Sequence, residues 1–368
     1  MRTKAAVLWG VGQKWEVEAV DLDDPLENEV LIRLVASGLC HSDQHVVTGD
    51  MPLQPPLIGG HEGAGVVVDV GPGVTSVAAG DHVALSFIPA CGRCTACVRG
   101  LSNLCELGAL MSAGTQVDGT CRFHARGQDL GQMCLLGTFS EYSVVPEASV
   151  ITLDPSVPLG VAALLGCGVT TGYGSAVRTG EVGEGDTVVV MGVGGVGVNA
   201  LQGARIAGAR VIIALDPIEY KRSRAAEFGA THVAASVDEA LELVTDLTHG
   251  AMADVCVMTT DTAEGAYVAQ ALSLVGKRGR VVVTAVGRAG DSRVDMSLLD
   301  LTLYEKQVRG GLFGSSNPRY DIPRLLDLYG SGQLKLDELI TREYALDDVN
   351  EGYDDMLSGR NLRGLIRF

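Results

Sequence analysis

Four cysteines lie close together in one short segment of the sequence, at Cys91, Cys94, Cys97 and Cys105. Four thiolates at such short spacing can surround a single tetrahedral Zn²⁺ ion. Disulfides and an iron–sulfur cluster are the alternatives. An odd total of nine cysteines argues against a disulfide framework, and no proline follows Cys105 as it does in the ferredoxin pattern. Because cysteine fills all four positions, segment 91–105 predicts a structural zinc lobe.

A second set of metal-binding residue types is dispersed along the chain. Cys40, His61 and Cys167 lie in the segments GLCHSDQH, GGHEGAG and LLGCGVTTGYG. Taken singly, each is more often a buried core residue than a ligand. Together they offer two thiolates and one imidazole, a set that leaves the fourth position of a zinc ion open for a water or substrate oxygen. That these three residues share one catalytic zinc is what the family resemblance described below implies.

A glycine-rich turn follows a predicted buried strand and opens a predicted helix. Its residues are Gly192, Val193, Gly194, Gly195, Val196 and Gly197. Glycines in this pattern can serve helix packing alone, but after a strand and before a helix they permit the turn and the close approach of a pyrophosphate. Asp216 ends the next strand, about 20 residues on, where a carboxylate accepts hydrogen bonds from the adenosine ribose. No arginine follows it, so NAD is favoured over NADP.

The elements around these residues fall into two patterns. In the first half, short apolar segments such as EVLIRLVASG, GAGVVVDVG and DHVALSFI, separated by turn residues, predict a β-rich region. From DTVVVMG onward, buried strands alternate with helices: ARVIIALD, ADVCVMTT and GRVVVTAVG are the further strands. That alternation is typical of a doubly wound parallel sheet. We therefore predict an α/β protein in two domains.

Composition excludes several classes of function. With 368 residues, 46% hydrophobic and 20% charged, the chain has the profile of a globular protein. The net charge of −17 makes nucleic acid an unlikely partner. The longest apolar run, residues 188–198, is too short to cross a bilayer. The N-terminus lacks a secretory pattern, so a cytoplasmic location with no membrane partner is expected.

Six segments carry a resemblance to one known family, in that family's order: GLCHSDQHVVTG, GGHEGAGVV, CGRCTACVRGLSNLC, TFSEYSVV, GCGVTTGYGSAV and GVGGVGV. From end to end, the chain resembles the zinc-dependent alcohol dehydrogenases of the medium-chain dehydrogenase/reductase superfamily. Alcohol dehydrogenase is also the usual example of a catalytic zinc bound by two cysteines and one histidine. The segment DGTCRFHARGQDLGQMCLLGTFSEY resembles, more narrowly, the bacterial nicotinoprotein enzymes that act with nitrosodimethylaniline and are associated with mycofactocin.

The resemblance implies a fold and an activity. The fold is a GroES-like catalytic domain, residues 1–168 and 312–368, with a Rossmann domain, residues 169–311, that binds NAD(H). Each chain would hold two zinc ions, one catalytic and one structural, and belong to a homo-oligomer, a dimer or tetramer. The activity is oxidation of an alcohol to an aldehyde and the reverse, with NAD kept on the enzyme and reoxidised by an external redox acceptor.

Two alternatives remain open at this point. The first is a formaldehyde dehydrogenase that depends on glutathione or mycothiol and uses dissociable NAD. The second is a non-catalytic relative that binds the dinucleotide, but such relatives lack the zinc ligands that this chain has.

The resemblance also assigns roles to residues around the metal. Ser42 matches the hydroxyl of a proton relay that continues to His45. Asp43 matches a carboxylate that orients the imidazole of His61, and Glu62 matches a glutamate behind the metal. The alternatives are an ordinary turn serine at position 42 and a surface histidine at position 45.

Further roles concern the cofactor and the substrate. By the same resemblance, the cofactor contacts are Thr171 to the nicotinamide, Lys221 near the adenosine ribose, and Arg363 and His41 at the pyrophosphate. A substrate slot would be lined by Met51, Phe87 and Leu135, all three of which could instead be plain core.

Overall fold

The structure is a computed structural model that describes residues 1–368. Contacts divide the chain into two compact units. Unit 1 comprises Met1–Cys167, Asn317–Ser331 and Leu336–Phe368, and unit 2 comprises Gly168–Ser316 and Gly332–Lys335. No single helix is long and apolar enough to cross a membrane. The consecutive helices Leu159–Leu165 and Gly168–Thr179 reach that length and hydropathy only when the two are counted together.

The first 167 residues are mostly β-strand. The strands are β1 (Arg2–Leu8), β2 (Glu16–Leu22), β3 (Glu29–Gly38), β4 (Leu57–Ile58), β5 (Gly63–Val70), β6 (His82–Leu85), β7 (Phe123–Ala125), β8 (Gln128–Gln132), β9 (Tyr142–Pro146) and β10 (Val150–Thr152). The helices are α1 (His41–Thr48), α2 (Thr95–Val98) and α3 (Leu159–Leu165). Short 3₁₀ turns cover Ser102–Leu104, Glu106–Ser112, Met133–Leu135 and Glu147–Ser149.

Strands and helices alternate in the next part of the chain. The helices are α4 (Gly168–Gly174), which continues into a π-helical turn at Ser175–Thr179, α5 (Gly197–Ile206), α6 (Glu219–Ala225), α7 (Val237–Leu247), α8 (Gly265–Leu274) and α9 (Leu298–Leu303). The strands are β11 (Thr187–Met191), β12 (Val211–Leu215), β13 (His232–Ala234), β14 (Ala253–Met258), β15 (Val275–Val283) and β16 (Gln307–Gly310). Further 3₁₀ turns cover Ala226–Phe228 and Leu312–Ser315.

The chain ends with two helices and two strands: α10 (Pro318–Gly330), β17 (Ile340–Ala345), α11 (Val349–Leu357) and β18 (Arg363–Arg367). Two 3₁₀ turns, Asp337–Leu339 and Leu346–Asp348, connect them.

Unit 1 contains a closed barrel and a larger sheet. The barrel has the order β1-β2-β7-β8-β4. The larger sheet has seven strands in the order β10-β6-β5-β3-β18-β17, with β9 also paired to β3. The C-terminal strand β18 pairs antiparallel with β3, and Leu365 lies opposite Gly38. This pairing brings the end of the chain to the strand that leads into the Cys40 segment.

Unit 2 contains a six-stranded sheet in the order β13-β12-β11-β14-β15-β16, and all of its neighbouring pairs are parallel. Every residue of the central strands β11 and β12 is buried, as expected for strands covered by helices on both faces. The prediction of a β-rich GroES-like domain with a parallel-sheet domain is confirmed.

Residues 312–316 and 332–335 belong to unit 2, whereas the domain limits expected from the sequence assign them to the first domain. The first segment packs closely on α4. A Cβ atom built on Gly314 would lie 2.4 Å from the carbonyl oxygen of Thr171. The second is tied to α5, because Gln202 donates to the carbonyl oxygen of Lys335 and accepts from its N–H.

Candidate active site

Four buried side chains of unit 1 converge to form a candidate metal site: Cys40, His61, Glu62 and Cys167. One possible ligand atom from each lies within 4.8 Å of all the others. Cys40 directly precedes α1, the His61–Glu62 pair directly precedes β5, and Cys167 follows α3. The structure therefore brings together the three dispersed residues that the sequence selects, with a carboxylate beside them.

The imidazole of His61 is held by Asp43. Its Nδ1 lies 3.3 Å from Oδ1 of Asp43, and that oxygen also accepts a hydrogen bond of 2.9 Å from the N–H of Gly60. The other ring nitrogen, Nε2, is buried and has no hydrogen-bond partner. A buried nitrogen with an unused lone pair is costly unless it has a partner. A metal ion among the neighbouring thiols would supply one, so the residues fit zinc.

Neighbouring charges shift the pKa values of His61 and Cys40 in opposite directions. Burial by itself would lower the pKa of His61, but the charges of Asp43 and Cys40 raise it well above its ordinary value. A hydrogen bond from the thiol of Cys167 lowers the pKa of Cys40, and the charge of His61 lowers it further. Cys40 is thus disposed to be a thiolate, the form in which cysteine binds metals.

Glu62 and Arg363 form a buried ion pair next to these ligands. The Nη2 of Arg363 donates to Oε2 of Glu62, and both side chains are almost wholly inaccessible. Burial raises the pKa of Glu62, and the charge of Arg363 offsets part of that rise. The close packing requires a glycine at position 38, since a Cβ atom there would lie 2.0 Å from Oε2 of Glu62.

Helix α1 carries the two residues of the expected proton relay. The Cys40 thiol donates to the hydroxyl of Ser42 across 3.6 Å, so the hydroxyl adjoins the metal-ligand cluster. His45 is buried rather than on the surface, and its Nδ1 lies 3.4 Å from Oδ2 of Asp50. His41, the first residue of this helix, is half-buried.

The expected substrate-lining residues separate into two groups. Met51 and Phe87 pack against one apolar cluster, and the ring of Phe87 is 5.9 Å from that of His61 in an edge-to-face arrangement. Leu135 is fully buried but does not belong to that cluster, whereas its neighbours Met133 and Cys134 do. Positive φ angles at Cys134 and Leu135, 54° and 61°, turn the backbone at this point.

Sequence reasoning did not identify Tyr353, whose hydroxyl lies 3.5 Å from the carbonyl oxygen of Cys40. Tyr353 is on α11 near the end of the chain, and no motif links it to Cys40. The pairing of β18 with β3 is the only hint that this region returns to the site.

The four clustered cysteines form a second candidate metal site in unit 1, with all four sulfurs within 4.8 Å of one another. The N–H groups of Cys94 and Cys97 donate to the sulfurs of Cys91 and Cys94, as expected around thiolates. Backbone hydrogen bonds, above all from Glu106, lower the pKa of Cys94 to about 6. None of the nine cysteines forms a disulfide.

In unit 2, the glycine-rich turn directly precedes α5. Gly192 has a φ of 90°, and a Cβ atom on Gly197 would lie 2.0 Å from the carbonyl oxygen of Gly192. A Cβ atom on Gly194 would meet only Nζ of Lys221, at 3.8 Å. Open space beside a lysine and a helix N-terminus is suited to a phosphate group.

Asp216 is bound to the backbone beside this turn. Its Oδ2 accepts from the N–H of Val193 at 2.8 Å, and its Oδ1 accepts from the N–H of Ile218 at 2.9 Å. Each carboxylate oxygen retains a second lone pair for a ribose hydroxyl. Thr171, on α4 in the same unit, has a buried hydroxyl without a hydrogen-bond partner.

Comparison with protein families gives two matches. Residues 26–155 match the alcohol dehydrogenase GroES-like domain, and residues 195–331 match the zinc-binding dehydrogenase family. The two matches cover both halves of the chain.

Several characterised proteins are similar over the whole chain. An NDMA-dependent alcohol dehydrogenase of Amycolatopsis methanolica is 52% identical, and alcohol dehydrogenase B of Mycobacterium tuberculosis is 51% identical; each alignment covers 100% of this chain and 99% of the relative. An S-(hydroxymethyl)glutathione dehydrogenase of Paracoccus denitrificans is 36% identical, with 100% of both chains covered.

Solved structures are similar too. A zinc-binding alcohol dehydrogenase domain protein from Burkholderia ambifaria has a TM-score of 0.94 at 33% identity, and benzyl alcohol dehydrogenase from Acinetobacter calcoaceticus has 0.93 at 29%. Both comparisons cover 100% of this chain and 99% of the other. A zinc-binding dehydrogenase from Sinorhizobium meliloti, with a TM-score of 0.79 at 26% identity and complete coverage of both chains, is bound to NADP.

Proposed function

The chain belongs to the family of zinc-dependent alcohol dehydrogenases, and from that premise we propose that it oxidises primary alcohols with an NAD that remains bound between turnovers. The reduced cofactor would then be reoxidised in place by an external redox acceptor. The observation that carries the proposal is the buried cluster of Cys40, His61, Glu62 and Cys167, in which Nε2 of His61 has no partner.

Cys40, His61 and Cys167 would hold the catalytic zinc, and Cys91, Cys94, Cys97 and Cys105 the structural one. A zinc ion bound by three protein ligands polarises an alcohol oxygen and lowers the pKa of its hydroxyl. Asp43 orients His61 for this role through the contact at Nδ1. Glu62, with Arg363 as its counter-ion, lies within reach of the same site and would assist exchange of the fourth ligand.

The proton released by the alcohol needs a path away from a buried site. Ser42 adjoins Cys40 and has a hydroxyl that can accept one proton while donating another. His45 is three residues further on the same helix, and an imidazole can both accept and release a proton. The contact between His45 and Asp50 would stabilise the protonated ring. We assign proton transfer to Ser42 and His45.

We assign NAD rather than NADP as the cofactor because of the charge at Asp216. The relative bound to NADP indicates that membership of the wider family does not decide between the two nucleotides. In this chain the buried carboxylate of Asp216 lies beside the glycine-rich turn, where a 2′-phosphate would meet a like charge. The N-terminus of α5 would bind the pyrophosphate, and Lys221, beside Gly194, would lie near the adenosine ribose.

Retention of NAD is proposed from the similarity to the NDMA-dependent enzyme and from segment 118–142, which is firmly anchored. Arg122 is buried and donates to both carboxylate oxygens of Glu29 and to Asp118. Gln132 is buried as well and donates to the carbonyl oxygens of Leu136 and Val144. These hydrogen bonds hold the segment in place within unit 1.

The test is to denature gel-filtered protein in acid and to quantify the nucleotide released by chromatography. We expect about one NAD(H) per chain, because a retained cofactor dissociates far more slowly than the time of gel filtration. Less than about a tenth of a nucleotide per chain, together with steady NADH production from free NAD, would contradict retention.

A second candidate function is oxidation of a hydroxymethyl thiol adduct, since a relative named for that substrate is 36% identical over the full length. The discriminating assay compares formaldehyde with and without glutathione or mycothiol against a simple primary alcohol. Activity that requires the thiol would favour this candidate.

We also propose that the chain forms a homo-oligomer. Leu298, Leu299 and Leu303 on α9 are 70%, 66% and 66% exposed, and β16 is an edge strand of the parallel sheet. Exposed leucines and an unpaired sheet edge are each unfavourable in a monomer. A second copy of the chain would cover them, and light scattering of the purified protein would give the subunit number.

A further inference from the structure

Helix α11 is docked firmly against the first part of unit 1. Asn350 donates from Nδ2 to the carbonyl oxygen of Trp15 at 2.9 Å and accepts from the Trp15 N–H at 3.1 Å. One turn further along, the ring of Tyr353 lies 6.3 Å from the rings of both Trp15 and Phe139. These contacts fix the position of the Tyr353 side chain, which is only 4% exposed.

The hydroxyl of Tyr353 lies next to the backbone of Cys40, one of the residues of the candidate catalytic metal site. It lies 3.5 Å from the carbonyl oxygen of Cys40, and the N–H of Asp43 donates to that same oxygen at 3.2 Å. Burial, followed by the charge of Asp43, raises the pKa of Tyr353 well above its ordinary value. The phenolic hydroxyl of a tyrosine is in any case a donor at neutral pH.

Asp43 lacks one hydrogen bond that a buried carboxylate needs. Its side chain is fully buried, and Oδ1 already accepts from Gly60 and His61. Oδ2 is also buried but accepts no hydrogen bond. An ionised carboxylate with one unsatisfied oxygen is costly, so a donor close to Oδ2 gains strength from the low-polarity surroundings.

We propose that Tyr353 is a positioning residue for the catalytic metal site: its hydroxyl donates to Oδ2 of Asp43 and so holds Oδ1 against the Nδ1–H of His61. The Nε2 of His61 is thereby aimed at the metal. This inference rests on the zinc site proposed for Cys40, His61 and Cys167. It adds Tyr353, from a distant part of the chain, to the residues that hold the imidazole of His61 in position.

The size of the effect follows from the general behaviour of residues that orient metal ligands. Removing such a partner typically costs about 10–100-fold in metal affinity, because the histidine becomes free to rotate and is a weaker base. Tyr353→Phe removes only the hydroxyl and leaves the ring contacts with Trp15 and Phe139. We expect it to release the catalytic zinc about 10–100-fold more readily while the structural zinc is held as before.

A matched control exists in the same unit. Tyr344 is also buried, and its hydroxyl donates to Oδ2 of Asp355 at 2.8 Å, away from the metal cluster. Tyr344→Phe therefore removes a comparable tyrosine–carboxylate hydrogen bond. We expect this variant to release both zinc ions as the unmodified protein does.

The experiment measures zinc transfer from the folded protein to a chromogenic chelator, with thermal unfolding as the check on folding. The variants are Tyr353→Phe, Tyr344→Phe, Asp43→Asn and the double variant Asp43→Asn/Tyr353→Phe. Because Tyr353 acts through Asp43, we expect the double variant to release the catalytic zinc no faster than Asp43→Asn alone.

Several outcomes would overturn the proposal. The first is that Tyr353→Phe releases the catalytic zinc no faster than the unmodified protein, and the second is that Tyr344→Phe releases it as fast as Tyr353→Phe. The third is that the double variant releases this zinc faster than Asp43→Asn, by the factor that Tyr353→Phe shows alone. If Tyr353→Phe is too unstable to assay, Tyr353→His replaces it in the comparison, because histidine keeps a ring and a donor. We expect Tyr353→His to retain part of the affinity for the catalytic zinc. Complete loss of that zinc from Tyr353→His would also overturn the proposal. If the unmodified protein holds only the structural zinc, the failure is that of the proposed metal site itself.

Discussion

Arg363, on the last strand of the chain, donates to the carboxylate of Glu62, which directly follows the histidine of the candidate metal site. Both groups are buried, so each charge depends on the other. Burial would lower the pKa of Arg363, but the charges of Glu62 and Cys40 raise it, so the guanidinium stays protonated. The structure thus pairs Arg363 with Glu62, and the pyrophosphate contact that the family resemblance implies for Arg363 stays a prediction.

Breaking this ion pair should destabilise the protein. Arg363→Leu leaves Glu62 as an unpaired buried charge, and loss of one partner of such a pair costs about 3–5 kcal/mol. The double variant Glu62→Gln/Arg363→Leu removes both charges and should recover part of that loss. Urea unfolding of the three proteins measures the effect. A double variant that is less stable than Arg363→Leu would contradict the pairing.

The two metal sites should respond differently to loss of a ligand. Elemental analysis of the unmodified protein should give two zinc ions per chain, because two complete ligand sets are present. Cys105→Ser should lose one zinc and unfold at a lower temperature, since a structural zinc contributes to folding. Cys40→Ser should also lose one zinc but keep its fold while turnover is abolished. One zinc or none in the unmodified, well-folded protein would refute this assignment.

The choice of cofactor should depend on the charge of Asp216. Asp216→Ser removes a like-charge clash with a 2′-phosphate and should improve binding of NADP relative to NAD. Asp216→Asn is the closer control, since its amide oxygen can still accept from one of the two backbone N–H groups that Asp216 binds. Titration of nucleotide-free protein with each cofactor gives the ratio of dissociation constants. Equal affinity of the unmodified protein for both cofactors would show that Asp216 does not discriminate.

Proton transfer should depend on the hydroxyl of Ser42. Ser42→Ala keeps the helix and Cys40 but removes the group next to the thiol, and kcat should fall by about 100-fold or more. Ser42→Thr restores a hydroxyl and should retain much of the activity. Steady-state kinetics with a primary alcohol measures both. If Ser42→Ala keeps kcat within a factor of about two, the proton leaves by another route.

The local patterns of the sequence were sufficient for much of unit 2. Buried runs such as TVVVM and VIIAL form β11 and β12, and the glycine-rich turn lies between β11 and α5 as predicted. Strand β13 is not among the predicted strands, because its three residues are too few to show the alternation of apolar and polar side chains that indicates a strand. Helix α7, Val237–Leu247, is not among the predicted elements, although its amphipathic pattern is typical of a helix.

The candidate site was harder to predict because its parts are distant in the chain. The family resemblance grouped Cys40, His61 and Cys167 as ligands of one metal, but only the folded chain brings them within reach of one another. Tyr353 carried no signal at all, since its role depends on how α11 docks on Trp15. The positive φ at Cys134 and Leu135 could not be foreseen either, because non-glycine residues rarely adopt it.

The most direct test of the proposed function uses gel-filtered protein, a primary alcohol and nitrosodimethylaniline, with no NAD added. Bleaching of the nitroso compound over many turnovers is the predicted result, because a retained NAD would carry the hydride from the alcohol to this acceptor without leaving the protein. The Cys40→Ser variant, which lacks a ligand of the catalytic zinc, should give no bleaching. Bleaching that appears in the unmodified protein only after free NAD is supplied would contradict a retained cofactor and make this chain a dehydrogenase with dissociable NAD.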